Sequence, residues 1–382
     1  MIKEIYFDLP EGEGGRFKTM AHGGEIFQVA ERLGVSPREI LDFSVNINPF
    51  FPLSLLKKRI RENLDLISSY PDLEQKRGRG NLANILGLPE DNILLGNGAS
   101  ELIFLILRII KPKKVLIPIP TFSEYEKGAQ AVGAKLTFLP LKEEKGFALE
   151  MRGLFPLLKD VDTLFLCNPN NPTGHLLAEK EIQELIKVTR KRGIWLILDE
   201  AFIDFVPEGE RPYLLKEAVE VGGHLLLIRS LTKSLAIPGL RVGYAIAPKG
   251  FVERLESIRP PWYLNIFSQV VLDYLEEYFP LFQKGLERLS QEKVFFKRKL
   301  EEFPLLKVFP SWTNFFLCRV KGISSSDLKG RFLAYKILIR DCRDFRGLGE
   351  GFIRIAVRKK EDNLRLIRSM RKIFEEEGLW RD

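Results

Sequence analysis

The length of 382 residues exceeds what one ordinary hydrophobic core requires, so two domains are expected. A hydrophobic fraction of 45% supplies ample material for large cores and excludes an intrinsically disordered protein. The net charge of +8 comes from basic residues interspersed with acidic ones, as on solvated helix faces, so no nucleic-acid partner is predicted.

In chain order, strands alternate with helices. Apolar strands are predicted at residues 115–118, 135–139, 163–167, 195–199, 225–228 and 243–247, with connecting helices such as 178–191. This alternation predicts an α/β protein with a mostly parallel sheet covered on both faces. We assign residues 46–284 to this large domain.

The two ends of the chain are expected to form a second, smaller α+β domain. An arm and helix at residues 1–45 should pack with residues 285–382, which end in a helix at 361–377. Periodicity over residues 268–302 predicts one long helix between the domains.

Metal binding and membrane insertion are not predicted. The three cysteines form no disulfide framework, which suits a reducing compartment, and the three histidines show no metal-ligand spacing. The strongest apolar run, residues 102–110, is interrupted by Arg108 and is too short to cross a bilayer. Residues 1–6 do not resemble a signal peptide, so we expect a cytoplasmic protein.

Polar residues follow several of the predicted strands. A glycine-rich turn at Gly98, Ala99 and Ser100 opens an apolar helix, so its free N–H groups and the helix dipole could face an anion. Asn171 lies in a turn after one buried strand, and Asp199 ends another. Ligands of open α/β sheets collect beyond the carboxyl ends of the strands.

The segment from Ser230 through Lys233 to Arg241 is the strongest chemical signal. A lysine after a buried strand, beside a serine and an arginine, is typical of a lysine that forms a Schiff base with an aldehyde cofactor. The serine hydroxyl and the arginine fork would hold the phosphate of that cofactor. Each of these four segments also has an ordinary structural explanation, as a turn or a capped helix, but their joint occurrence in this order favours a site.

Together these motifs resemble the fold-type I pyridoxal-phosphate enzymes of the aspartate-aminotransferase-like superfamily, over nearly the whole chain. The resemblance implies a seven-stranded sheet in the large domain, pyridoxal 5'-phosphate as cofactor, Lys233 as its Schiff-base lysine, and Asp199 as the acid paired with the pyridinium nitrogen. The other cofactor contacts that it implies are Gly98, Ala99, Ser100, Ser230 and Arg241 around the phosphate, Asn171 at the ring 3-oxygen, Phe122 stacked on the ring, and Tyr70 reaching the phosphate in a neighbouring subunit. A homodimer with shared active sites follows from the last of these.

The sequence departs from many aminotransferases at Phe202, where a tyrosine hydroxyl would donate to the 3-oxygen. The segments around His22, Asn46 and Asp199 are similar to those of the threonine-phosphate decarboxylases of cobalamin biosynthesis, whose close relatives are the histidinol-phosphate aminotransferases. This resemblance implies that His22 and Asn46 contribute to substrate binding.

Two arginines in apolar C-terminal strands complete the predicted substrate site. Arg340 and Arg354 are flanked by isoleucines, and a buried charge requires a partner. We assign Arg354 to an α-carboxylate and Arg340 to a substrate phosphate.

The expected reaction is the decarboxylation of L-threonine O-3-phosphate, a small phosphorylated amino acid. The alternative is an aminotransferase for histidinol phosphate or a related amino acid. A third hypothesis is a non-catalytic regulator that keeps the fold for ligand sensing or DNA binding. It is disfavoured because such regulators usually carry a winged-helix module and none precedes the arm.

Overall fold

The structure, a computed structural model, describes residues 23–379. Its α-helices are α1 Ile26–Leu33, α2 Leu53–Glu62, α3 Lys76–Leu86, α4 Gly98–Ile110, α5 Glu124–Ala131, α6 Met151–Leu154, α7 Glu179–Lys191, α8 Leu215–Val219, α9 Leu231–Ser234, α10 Lys249–Ser257, α11 Ile266–Asp273, α12 Leu275–Glu301, α13 Ser325–Ala334 and α14 Lys360–Glu376. Its strands are β1 Leu41–Asp42, β2 Ile93–Gly96, β3 Lys114–Ile119, β4 Lys135–Pro140, β5 Thr163–Cys167, β6 Trp195–Asp199, β7 Leu225–Ser230, β8 Gly243–Ile246, β9 Leu306–Val308, β10 Phe315–Val320, β11 Ile337–Leu338, β12 Arg340–Asp341 and β13 Phe352–Ala356.

A seven-stranded sheet forms the larger part of the molecule. Its strand order is β2-β8-β7-β6-β5-β3-β4, and β8 alone runs antiparallel to its neighbours. Side chains alternate along the central strands. Leu164 and Leu166 belong to the core on one face, whereas Phe165 lies with Ile197 in the core on the other. The predicted α/β class with a mostly parallel, seven-stranded sheet is confirmed.

The C-terminal region has its own antiparallel sheet, in the order β12-β13-β10-β9. Its core contains Phe296 of α12, Phe316 of β10, Phe332 of α13 and Phe374 of α14. The N-terminal segment joins this region, because β1 pairs in parallel with β11, and Val29 of α1 shares a small core with Leu338. The domain boundaries at residues 45 and 284 stay predictions.

Two predicted elements are divided in the structure. The single helix expected at residues 268–302 is two helices, α11 and α12, separated at Tyr274. The side-chain amide of Asn81 donates to the carbonyls of Leu272 and Asp273, at 3.1 and 2.9 Å, and thereby satisfies carbonyls at the end of α11. The strand expected around Arg340 is two short strands, because β11 pairs with β1 whereas β12 pairs with β13.

Among residues 23–379, no helix is long and apolar enough to span a membrane.

Candidate active site

A cavity of about 480 Å³ lies where β5, β6 and β7 end and faces the C-terminal region. We call it the active-site cavity. Among the residues predicted for the site, those that line it are Asn46, Ala99, Ser100, Phe122, Asn171, Asp199, Lys233, Arg241, Arg340 and Arg354. The carboxyl ends of neighbouring parallel strands meet at one edge of the sheet, and this explains why distant segments converge here.

Lys233 lies in the single turn of α9, directly after β7. Its carbonyl accepts a hydrogen bond of 2.9 Å from the N–H of Asn48, which ties the N-terminal segment to this turn. Burial lowers the pKa of the Lys233 amine to about 8, and the nearby cations Arg241 and Arg354 act in the same direction against the carboxylate of Asp199. The amine is therefore partly neutral near pH 8 and can act as a nucleophile.

Asp199 is buried at the end of β6, with 3% of its surface exposed. The hydroxyl of Tyr125 donates to its Oδ2 at 2.8 Å, and the N–H of Ala201 donates to its Oδ1 at 2.9 Å. Burial raises the pKa of Asp199, whereas these two hydrogen bonds and the charge of Lys233 lower it. The carboxylate is thus held in one orientation by donors that favour its charged form.

Polar groups at the start of α4 and the end of β7 form a cradle for an anion. Gly98 has a φ of +78°, and a Cβ there would collide with Nη2 of Arg241, so glycine permits the guanidinium to approach the helix. The helix begins at Gly98, where N–H groups lack intrahelical partners. The hydroxyl of Ser230 is buried and finds no hydrogen-bond partner in the part of the chain that the structure describes. These donors suit a phosphate group.

Arg340 and Arg354 face each other across the antiparallel pair of β12 and β13. Nη2 of Arg354 donates to the carbonyl of Ser44 at 2.8 Å, and its Nη1 donates to the amide oxygen of Asn171. Its Nε is buried and has no hydrogen-bond partner among residues 23–379. Burial lowers the pKa of Arg354 to about 10. Arg340 differs, because its Nη2 donates to both carboxylate oxygens of Asp344 at 2.8 Å. Within the described part of the chain, Arg354 thus carries a buried positive charge whose hydrogen-bond acceptors are neutral.

The remaining predicted residues lie in different places. Gly98 adjoins the cavity through Arg241, whereas Ser230 is not among the residues that line it. Tyr70 is 79% exposed and stacks on Trp262, with ring centroids 4.6 Å apart, so it does not reach the cavity of its own chain. His22 lies outside the described residues. The ring of Phe202 has its centroid 5.8 Å from Nζ of Lys233, at the position where many aminotransferases place a tyrosine.

Sequence reasoning overlooked two residues that the structure connects to the site. Tyr125 is fully buried and its hydroxyl is bonded to Asp199, a pairing that a phenol on the buried face of a short helix could have suggested. Asp344 is the carboxylate that neutralises Arg340. Its spacing, four residues after the arginine, is the one detectable signal, and it is weak outside a helix.

Comparison with known proteins defines the class. Residues 38–370 match the family described as aminotransferase class I and II, and the chain belongs to that family. The threonine-phosphate decarboxylase of Salmonella typhimurium is 37% identical over 93% of this chain and 96% of that protein.

Two solved structures are similar over 88% of this chain and 100% of their own chains. The L-threonine-O-3-phosphate decarboxylase of Porphyromonas gingivalis has a TM-score of 0.79 at 29% identity. The histidinol-phosphate aminotransferase of Clostridium acetobutylicum has a TM-score of 0.81 at 30% identity. The resemblance identified from the motifs is confirmed.

Proposed function

We propose that the protein is a pyridoxal-phosphate-dependent enzyme that decarboxylates L-threonine O-3-phosphate to (R)-1-amino-2-propanol O-2-phosphate and carbon dioxide. The observation that carries this proposal is the buried charge of Arg354, whose hydrogen-bond acceptors among residues 23–379 are neutral, beside Arg340 and Lys233 in one cavity. A substrate with an amine, an α-carboxylate and a phosphate matches these three groups. The product would serve cobalamin biosynthesis in the cytoplasm.

The residues around the cavity fit a phosphorylated aldehyde cofactor. Its phosphate would be held by the hydroxyl of Ser230, the N–H groups at the start of α4 and the guanidinium of Arg241, which lies close to Gly98. Lys233 would react with its aldehyde, Asp199 would pair with its ring nitrogen, and Asn171 and Phe122 would contact the ring. When bound, pyridoxal 5'-phosphate supplies an electron sink for the pair of electrons left by the departing carboxylate.

The protein's own groups supply the positioning and the proton. Arg354 would bind the α-carboxylate through its guanidinium, a favourable exchange because its present acceptors are neutral oxygens. Asp199, which accepts a hydrogen bond from Tyr125, would keep the ring nitrogen of the cofactor protonated. The Nζ of Lys233 would deliver a proton to the α-carbon after carbon dioxide leaves.

The decisive experiment supplies threonine phosphate to the purified protein with pyridoxal 5'-phosphate and no keto acid. We expect one molecule of carbon dioxide to be released for each threonine phosphate consumed, over many turnovers of the enzyme. Lys233→Ala should bind the cofactor reversibly and lose turnover, because both the nucleophile and the proton carrier are removed. Multiple turnovers in that variant would contradict the assigned role of Lys233.

The aminotransferase alternative has a different signature. Histidinol phosphate carries a phosphate and an amine but lacks an α-carboxylate, so it would leave Arg354 without an anion in that half-reaction. If histidinol phosphate converts the cofactor to its pyridoxamine form while threonine phosphate releases no carbon dioxide, the proposal is wrong and the alternative holds.

Exposed apolar side chains support a homodimer in which Tyr70 serves the neighbouring subunit. The large exposed apolar residues of segments 64–73 and 258–262 are Leu64, Leu66, Ile67, Tyr70, Leu73, Ile258 and Trp262. The two segments meet where Tyr70 stacks on Trp262. Such a concentration is typical of an interaction surface.

Sedimentation equilibrium should give twice the chain mass, and Tyr70→Phe should weaken cofactor affinity although Tyr70 lies outside its own cavity. A monomer with full cofactor affinity would contradict this arrangement.

A further inference from the structure

The carboxylate of Asp344 forms an ion pair with Arg340, whereas no carboxylate among residues 23–379 accepts a hydrogen bond from Arg354. Nη2 of Arg340 donates to both carboxylate oxygens, and Nη1 donates to the backbone carbonyl of Asp341 at 2.7 Å. The side chain of Arg340 is 7% exposed, and that of Asp344 is 20% exposed. Arg340 lines the active-site cavity, and its anionic partner is the more exposed of the two side chains.

The position of the two arginines explains why one requires a counter-ion. Arg340 and Arg354 are directly opposite each other in the β12–β13 pair, where side chains of opposite residues lie close together. Two like charges at such positions repel each other, and both side chains are buried. Neutralisation of Arg340 by Asp344 relieves this repulsion when the cavity holds no anionic ligand.

A ligand phosphate at Arg340 would bring up to two more negative charges to the same guanidinium. The carboxylate would then repel the ligand, because like charges a few ångströms apart interact strongly in a partly buried site. Asp344 lies in the turn after β12, where the N–H of Phe345 donates to the carbonyl of Cys342 at 3.0 Å. Its exposed fraction gives the side chain a route towards solvent.

We propose that Asp344 is a specificity-determining residue that competes with the phosphate of the substrate for Arg340 and is displaced when the substrate binds. This inference rests on the proposed function for the identity of the substrate. A ligand without an anionic group at this position leaves the Arg340–Asp344 pair intact and gains no binding free energy from Arg340. Since substrate and product both carry the phosphate, the returning carboxylate also promotes release of the product.

The test begins with inorganic phosphate, titrated calorimetrically into the full-length protein at pH 8 with excess pyridoxal 5'-phosphate. The signal is the component of binding that Arg340→Gln abolishes, and it can be measured whether or not the protein decarboxylates threonine phosphate. Asp344→Asn should tighten this component about tenfold, since it removes the competing charge but keeps the shape. Asp344→Glu should retain most of the competition.

Glu126→Gln is the matched control. It removes a carboxylate that pairs with Arg346, an exposed arginine of the same C-terminal segment, and Glu126 does not line the cavity. It should leave phosphate binding unchanged. Weaker or unchanged binding in Asp344→Asn would overturn the proposal, because it would show that Asp344 orients Arg340 or has no influence on it.

Folding and catalysis supply two further readouts. If Asp344→Asn folds only when phosphate is present, that result supports the proposal, because the anion then replaces the carboxylate beside Arg340. Asp344→Ser, which is also neutral, should behave in the same way. If threonine phosphate is the substrate, Asp344→Asn should lower its KM and lower kcat through slower product release. L-threonine, whose carboxylate would bind Arg354, should gain much less affinity from the substitution than threonine phosphate, and an equal gain for the two ligands would overturn the competition.

Discussion

The amine of Lys233 is expected to titrate far below an ordinary lysine in the cofactor-free protein. Its pKa is lowered from 10.5 to about 8, with burial as the largest cause. The difference corresponds to roughly 3 kcal/mol that disfavours the charged amine. At pH 8 about half of the amine is then neutral, against about 0.3% for an unperturbed lysine, so the neutral fraction should be roughly 150-fold higher.

Competitive labelling measures this directly. Trace acetic anhydride is applied between pH 6 and 11, and peptide mapping gives the labelled fraction of each lysine. Lys249 is the internal contrast, because its hydrogen bond and ion pair with Asp91 raise its pKa. Labelling of Lys233 should reach half of its maximum near pH 8. Labelling of Lys249 should rise only at a pH above the ordinary pKa of a lysine. A midpoint for Lys233 at or above 10.5 would refute the reasoning.

Two variants separate the causes of the shift. Asp199→Asn removes the anion that raises the pKa of Lys233, so the midpoint should fall further. Arg354→Gln removes a cation that lowers it, so the midpoint should rise. Shifts in the opposite directions would show that charge interactions do not set the reactivity of Lys233.

Three more predictions concern stability and cofactor affinity. Lys233→Met should stabilise the cofactor-free protein at pH 7 by up to about 3 kcal/mol in urea unfolding. Since the folded pKa is depressed, this gain should shrink as the pH rises from about 8 to 10.5, and a constant difference would contradict it. Tyr125→Phe should destabilise the protein by about 1–3 kcal/mol near pH 7.5, because Asp199 loses a hydrogen bond in a buried site, and unchanged urea unfolding would refute this. Gly98→Ala should weaken binding of pyridoxal 5'-phosphate at least tenfold, because Arg241 must move. Gly133→Ala, with a similar φ of +75° and open space around the site of the new Cβ, is the control and should bind the cofactor normally.

Local pattern was sufficient for six of the seven strands of the large sheet, and β2 was not among the predicted strands. The predicted strands at residues 163–167 and 195–199 have the same bounds in the structure, because buried parallel strands are continuous apolar runs bounded by turn residues. The residues at the ends of these strands were also identifiable, since the carboxyl ends of parallel strands place Asn171, Asp199 and Lys233 at one edge.

Contacts between distant segments were not predictable. The break at Tyr274 depends on the amide of Asn81, almost two hundred residues earlier in the chain, and local periodicity contains no such information. The hydrogen bond between Tyr125 and Asp199 also joins separate elements, from α5 to β6. The pairing of Arg340 with Arg354 was not predictable either, because it depends on the register of β12 against β13.

The amino-acid sequence by itself therefore determined the fold class, the family and the residues with reactive side chains, because these follow from local periodicity and motif spacing. The tertiary structure alone decided that, among residues 23–379, Arg354 donates to neutral acceptors while Arg340 pairs with Asp344, and that burial depresses the pKa of the Lys233 amine. The physical reason is that burial and charge depend on the neighbours that a side chain acquires in space, and folding brings those neighbours from remote parts of the chain.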